Sequence, residues 1–241
     1  MGELIQNLKS RVQSNYFIGV QLFLIAIILV NIIFGWSQRL SGKSYALFFD
    51  GLYGNSSSAL AYLAVLVPTI AIFLSSKDES KRVHTKFKIA FLEAGLTGAL
   101  AYLIPAVVLA IIASIVDGTN GVPQTLMFFS QTLEINPLLY LITTIINFGI
   151  FGFVYGCLSF AITKLFNSEV AAILIALAIF IGGSFFVILV IGIWEFIPYM
   201  PIATFTSTNL GSNLVGFSLL FLGACLIGYI AFRRQMVKKL D

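Results

Sequence analysis

The sequence predicts an all-α integral membrane protein whose single domain, residues 1–241, holds six transmembrane helices. Mean hydropathy is +1.00, and 59% of the residues are hydrophobic, well above the composition of a soluble domain. Six apolar stretches cover most of the chain, and five of them run to at least 20 residues. At 1.5 Å rise per residue, about 20 helical residues cross a hydrocarbon core of roughly 30 Å.

Each of these stretches predicts a helix, because its apolar residues are continuous and do not alternate with polar ones as in barrel strands. In chain order the stretches are residues 16–35, 57–76, 89–116, 138–163, 169–194 and 214–232.

Basic residues lie almost entirely on one side of the predicted helices. Of the 14 Lys and Arg residues, 12 fall at the termini, in 77–88 or at Lys164, and the opposite side keeps only Arg39 and Lys43. The positive-inside rule therefore places both termini in the cytoplasm. The net charge of +4 follows from this topology and does not indicate nucleic-acid binding.

The N-terminal segment 1–15 has the pattern of a short amphipathic helix that lies on the inner membrane surface. A frayed terminus is the alternative. The apolar residues predicted to share one face are Leu4, Ile5, Leu8 and Val12, and the polar residues predicted to lie elsewhere are Glu3, Gln6, Lys9 and Arg11.

The polar segment 75–88 connects the second and third stretches on the cytoplasmic side. Asp78 and Glu79 come before every base of the segment except Lys77, an order that complements a helix dipole. It is either a solvated positive-inside loop or a short helix presented to a cytoplasmic partner. The candidate coupling residues are Lys77, Asp78, Glu79, Lys81, Arg82, Val83 and Phe87.

One carboxylate, Glu93, lies inside an apolar stretch, about one turn from its cytoplasmic boundary. An ionisable residue in a spanning helix is costly and is a functional candidate by default. The interpretation we favour is a structural ion pair with Lys86, Lys88 or Lys164.

Small residues and prolines mark two further features. Gly149, Gly152 and Gly156 form a stripe that predicts close approach of another helix, within the subunit or between subunits. The apolar outer segment 195–213 is interrupted at Pro198 and Pro201, on either side of Tyr199. The two prolines make this segment too interrupted to span the membrane, so we expect a re-entrant segment before the sixth helix.

The chain carries little catalytic chemistry. It has one histidine, His84, and no paired glutamates in a spanning stretch, so we expect no enzymatic activity, no bound metal and no bound cofactor. The proton relay of an ion-driven pump is also missing. If the protein transports a substrate, the energy is expected to come from another subunit.

The arrangement resembles the membrane subunit of a bacterial ATP-binding-cassette exporter of the type-2 permease class. It is similar to small Gram-positive permeases of antimicrobial-peptide export and immunity. The resemblance lies in the amphipathic N-terminal segment, the charged loop 77–88, the stretch 95–105 that opens the third helix, the Asn136-Pro137 sequence before the fourth, and the outer segment around Pro198 and Pro201.

The resemblance implies a function. The loop 77–88 would dock on a cytoplasmic ATPase dimer, which holds the ATP and Mg²⁺. Two copies of the permease, identical or homologous, would work together in the bacterial plasma membrane. The substrate would be an amphipathic or hydrophobic molecule, such as an antimicrobial peptide, a drug or a lipid-like compound.

Two other functions fit six helices. One is a substrate-capture module of an uptake system, although the first stretch is bulky where such proteins have small residues. The other is an accessory subunit without its own transport path.

Overall fold

In a computed structural model of the chain, the residues described are 2–35, 87–116, 137–186 and 210–237. These ranges are all-helical and contain no strand. The helices are α1 (Gly2–Val12), α2 (Asn15–Gly35), α3 (Phe87–Val116), α4 (Pro137–Phe166), α5 (Glu169–Phe186) and α6 (Leu210–Val237).

Three helical segments in the described ranges are long and apolar enough to cross a membrane, namely Phe87–Val116, Leu141–Phe166 and Gly216–Arg234. The segments Leu4–Val12 and Phe17–Val30, bent by 54°, raise the number to four if they form one broken span. The second predicted stretch, 57–76, lies outside the described residues. A membrane protein is therefore supported, and the number six stays a prediction.

In two places a helix begins a few residues earlier than predicted. Phe87 and Lys88 belong to α3 and not to the preceding loop, and residues 210–213 belong to α6 and not to the outer segment. In both places a helix continues past the apolar run, because backbone hydrogen bonding does not stop where hydropathy falls.

Helix α4 forms the centre of the bundle. In an apolar stretch of 18 residues within its spanning segment 78% of the residues are buried, against 39% and 28% in the corresponding stretches of α3 and α6. The side chains of Phe151, Tyr155 and Ile162 are fully buried. A helix that is apolar all round is expected at such a central position, and its low amphipathicity agrees with that expectation.

Helices α3 and α6 flank α4 in opposite directions. Along α3, contacts from Gly95 to Leu103 meet α4 from Cys157 back to Gly149, so these two helices are antiparallel. Along α6, Phe217 packs on Phe151 and Gly228 approaches Ala161, so α6 is parallel to α4.

The connection between α4 and α5 is two residues long. Asn167 adopts a positive φ of 53°, a conformation that Asn tolerates better than most residues and that ends helices. The Ser168 hydroxyl then accepts a hydrogen bond from the backbone N–H of Ala171, at 3.3 Å, which caps the start of α5.

A second tight corner joins α1 to α2. The Ser14 hydroxyl donates to the backbone oxygen of Arg11, at 2.6 Å, and accepts from the N–H of Phe17, at 3.2 Å. One side chain thus satisfies the last turn of one helix and the first turn of the next. The predicted N-terminal helix is present, and this corner fixes its direction relative to α2.

All described charged residues lie at one end of the bundle, which we call the charged end. Phe87, at the start of α3, packs against Phe160 near the end of α4 and Phe232 near the end of α6, with ring centroids 5.4 and 5.5 Å apart. The charged residues near these positions are Glu3, Lys9, Arg11, Lys88, Glu93, Lys164, Glu169, Arg233 and Arg234. Within the described ranges, the remaining helical length carries no Asp, Glu, Lys or Arg.

Candidate functional site: a buried ion pair at the charged end

Glu93 of α3 forms an ion pair with Arg11 of α1. The Arg11 side chain is 6% exposed and that of Glu93 is 1% exposed. The Arg11 Nε donates to Glu93 Oε1, and the Asn7 side-chain amide lies 3.5 Å from Oε2. The carboxylate thus has partners on both oxygens, as a buried charge requires.

The pair attaches the N-terminal helix to the first two turns of α3. Taking two charges out of water costs several kcal/mol per ion, and their attraction offsets this cost only in good geometry. Removing one partner of such a pair costs about 3–5 kcal/mol, because the other charge is left buried and uncompensated. The contact therefore holds α1 in one position for as long as both charges remain.

This partner differs from the three predicted ones. Lys88 is exposed, and the Lys164 ammonium lies over the Phe160 ring, 5.4 Å from its centroid. Lys86 lies outside the described residues. Arg11 is 82 positions from Glu93 in the chain, so no local spacing rule could select it.

Arg11 lies against α3, a position that the sequence pattern of α1 did not predict. Arg11 was expected away from the apolar face, yet it is buried, while Ile5 of that face is 62% exposed. Asn7 and Arg11 are one helical turn apart and face the same carboxylate. The buried face of α1 therefore follows the charge on α3, and hydropathy alone does not decide it.

A second polar contact joins α2 to α3 deeper in the bundle. Pro105 lies inside α3 and has no N–H, so the carbonyl of Ala101, four residues earlier, lacks its helical donor. The Gln21 side-chain amide donates to that carbonyl oxygen at 3.3 Å. The proline thus provides an acceptor inside the bundle, and α2 uses it.

The predicted glycine stripe on α4 packs within the chain, against α3. A Cβ at Gly152 would collide with the Gly98 carbonyl group, 2.8 Å from its carbon, and a Cβ at Gly149 would lie 2.8 Å from the Leu103 side chain. The Cα of Gly156 lies 3.3 Å from the position of a Cβ at Gly98. Only glycine permits this backbone approach.

Sequence reasoning missed the α3 half of this contact. A Cβ at Gly95 would lie 2.6 Å from the Cys157 sulfur, and Gly98 meets the backbone of α4. The signal was available, because Gly95 and Gly98 are three residues apart and share a helix face. Glycines on both helices therefore allow the backbones of α3 and α4 to come into direct contact.

Phe87, a predicted coupling residue, belongs to an aromatic cluster at the charged end. Besides Phe160 and Phe232, it stacks on Phe91 with centroids 6.5 Å apart. Phe91 in turn contacts Phe221 of α6 at 6.4 Å. Replacing Phe87 would therefore loosen the packing of three helices, so this residue is a poor probe of docking.

The other predicted coupling residues, at 77–83, and the outer residues Pro198, Tyr199 and Pro201 lie outside the described ranges. Within the part that is described, no group of three or more His, Cys, Asp or Glu side chains could hold a metal ion. Cys157 and Cys225 are free thiols.

No family model matches the chain, and no curated protein or solved structure is significantly similar to it. The fold and the site define a helical protein with long apolar helices, whose described part is charged at one end and apolar at the other.

Proposed function

We propose that the protein is the permease subunit of a bacterial ATP-binding-cassette exporter of the type-2 class. In this proposal six helices cross the plasma membrane, with both termini and the charged end in the cytoplasm. A separate ATPase dimer binds segment 77–86, a second permease subunit completes the path, and an amphipathic or hydrophobic substrate moves outward.

The observation that carries the proposal is the Arg11–Glu93 ion pair. Glu93 lies less than two turns from Phe87, the first residue of α3. In the sequence, Phe87 follows immediately after the polar segment that ends at residue 86. A force applied to that segment would act on the end of α3. The ion pair would transmit it to α1, and the contact between Gly98 and Gly152 would transmit it to α4.

The arrangement suits a device driven from one end. A helix with loose contacts would bend locally and lose the motion, whereas interlocked helices move together as rigid bodies. The distribution of charge supports the orientation, since the positive-inside rule places the charged end in the cytoplasm.

The experiment targets the docking segment and spares the packed residue Phe87. Asp78→Lys with Glu79→Lys reverses both acids, and the tagged protein is purified from its native membranes. We expect the wild type to co-purify an ATP-hydrolysing subunit and the double variant to lose it, with unchanged membrane insertion. Exposed charge pairs contribute only about 0–1 kcal/mol each, so both acids are reversed together.

Glu169→Lys, at the first residue of α5, is the matched control, because it makes the same reversal at the charged end outside the segment. Export or resistance should fail in the double variant and persist in the control. If the double variant keeps both the ATPase and full export, segment 77–86 is a solvated linker and the proposal loses its mechanism. Absence of any ATPase from the wild-type preparation would favour an accessory subunit.

A further inference from the structure

Among the described residues, four exposed bases at the charged end remain after the buried ion pair is set aside. Arg11 is held by Glu93, whereas Lys9, Lys88, Arg233 and Arg234 are exposed. Three of these four belong to α3 and α6, which meet where Phe87 packs on Phe232. Within the described ranges, most of the exposed bases therefore lie on these two helices, next to the residues that form their seam.

The surface of α6 next to this seam is apolar along three turns. Leu219, Leu222, Leu226 and Tyr229 are each more than half exposed. Their spacing of three and four residues places them along one side of the helix. Arg233 continues this row by four residues, and its guanidinium lies over the Tyr229 ring, 5.9 Å from the centroid.

The row has the polarity of a phospholipid. Its apolar length matches an acyl chain, and its cationic end matches an anionic headgroup. Tyr229 lies between the two, at the level where tyrosines concentrate in membrane proteins. The cation–π contact holds the Arg233 charge over the helix, with donors remaining for a phosphate.

We propose that the seam of α3 and α6 at the charged end, formed by Lys88, Tyr229 and Arg233, binds an anionic phospholipid. Charge complementarity and continuity with the apolar row on α6 select this occupant. Zwitterionic lipids would cover the same row without preference for the cationic end. The inference rests on the spanning helices and is independent of the exporter proposal.

The test measures lipid preference separately at the two ends of the bundle. Trp36 and Trp194, the two tryptophans of the chain, are replaced by Phe. Tyr229→Trp then reports on the charged end, and Ile115→Trp, at a residue that is 79% exposed at the opposite end of α3, serves as the control reporter. The protein is reconstituted in mixtures of phosphatidylcholine and brominated phosphatidylglycerol, and quenching gives the relative binding constant.

We expect the Tyr229→Trp reporter to favour phosphatidylglycerol and the Ile115→Trp reporter to show a ratio near one. Each Lys or Arg near the membrane surface raises the binding constant for an anionic lipid roughly fivefold. Arg233→Gln combined with Lys88→Gln should therefore abolish the preference. Lys9→Gln removes an exposed base of the same end on α1, outside the seam, and should leave it intact.

Three outcomes would overturn the proposal. Equal preference for phosphatidylglycerol at both reporters would show that there is no specific site at the charged end. If the Lys9→Gln variant lost the lipid preference to the same extent, a diffuse positive surface potential and not a specific site would explain the preference. An unchanged lipid preference in the Arg233→Gln/Lys88→Gln variant, together with lost association with a cytoplasmic protein, would assign the bases to a protein partner.

Discussion

The side-chain amide of Gln21 donates to the backbone oxygen of Ala101, at 3.3 Å, which is the carbonyl that Pro105 leaves without a helical donor. A proline in a spanning helix exposes an acceptor in a region without water, and another helix must supply the donor. The contact places α2 against the middle of α3. The ion pair between Arg11 and Glu93 places α1 against the start of the same helix.

The Gln21 contact predicts a coupled pair of substitutions. Gln21→Leu should destabilise the protein by about 1–3 kcal/mol, because the Ala101 carbonyl is left buried and unsatisfied. Pro105→Ala restores the backbone N–H that this carbonyl lacks. In the double variant Gln21→Leu should therefore cost much less than it does alone.

Unfolding by denaturing detergent in reconstituted samples measures the double-mutant cycle. Gln13→Leu, at an exposed glutamine between α1 and α2, is the control and should change stability by less than about 0.5 kcal/mol. Simple additivity of Gln21→Leu and Pro105→Ala would show that the two residues do not share this carbonyl.

The ion pair predicts a larger and strongly non-additive effect. Arg11→Met or Glu93→Met alone should each cost about 3–5 kcal/mol or prevent assembly, because the remaining charged partner is left buried. Arg11→Met combined with Glu93→Met should recover most of that loss, since two apolar side chains need no partner. The free energy of unfolding measures each variant.

Lys9→Met provides the comparison, because Lys9 is an exposed base on the same helix. Its effect should stay within about 0.5 kcal/mol. If the double variant loses the sum of the two single losses, the pair is not an isolated electrostatic contact.

The glycine contact predicts a contrast between two alanine substitutions. Gly152→Ala should destabilise the protein by at least about 1 kcal/mol. The new Cβ would meet the backbone of Gly98, which cannot move aside as a side chain can. Gly223→Ala on α6 should be neutral or slightly stabilising, since a Cβ there has nothing within 4 Å.

Thermal melting of both variants in the same detergent provides the measurement. Equal melting temperatures for Gly152→Ala and wild type would mean that α3 and α4 are not in backbone contact.

The proposed orientation in the membrane predicts a labelling pattern. In a background where Cys157 and Cys225 are replaced by Ala, a cysteine at Ser80 should resist an impermeant thiol reagent in intact cells. A cysteine at Ser41 should react, because the positive-inside rule places it outside. Permeabilised cells show that both cysteines are reactive. Labelling of the Ser80 position from outside would reverse the proposed topology.

The sequence by itself determined the helical class, the long apolar segments and the glycine stripe of α4. These features follow from composition and from the 3.6-residue period, which act within one segment. It also placed the ends of the N-terminal helix to within three residues and the start of α3 to within two. The stripe was predicted as a contact surface, but its partner, Gly98, was not.

Only the tertiary structure decided which segments meet. Arg11, 82 positions from Glu93 in the chain, forms the observed ion pair with it. Gln21 bonds the Ala101 carbonyl that Pro105 frees, 80 positions away in the chain from Gln21. A buried charge or carbonyl requires a hydrogen-bond or ion-pair partner. The local sequence pattern predicts that such a partner exists, but it does not identify the residue. The partner is fixed by how the helices pack, because packing alone decides which side chains reach the same buried point.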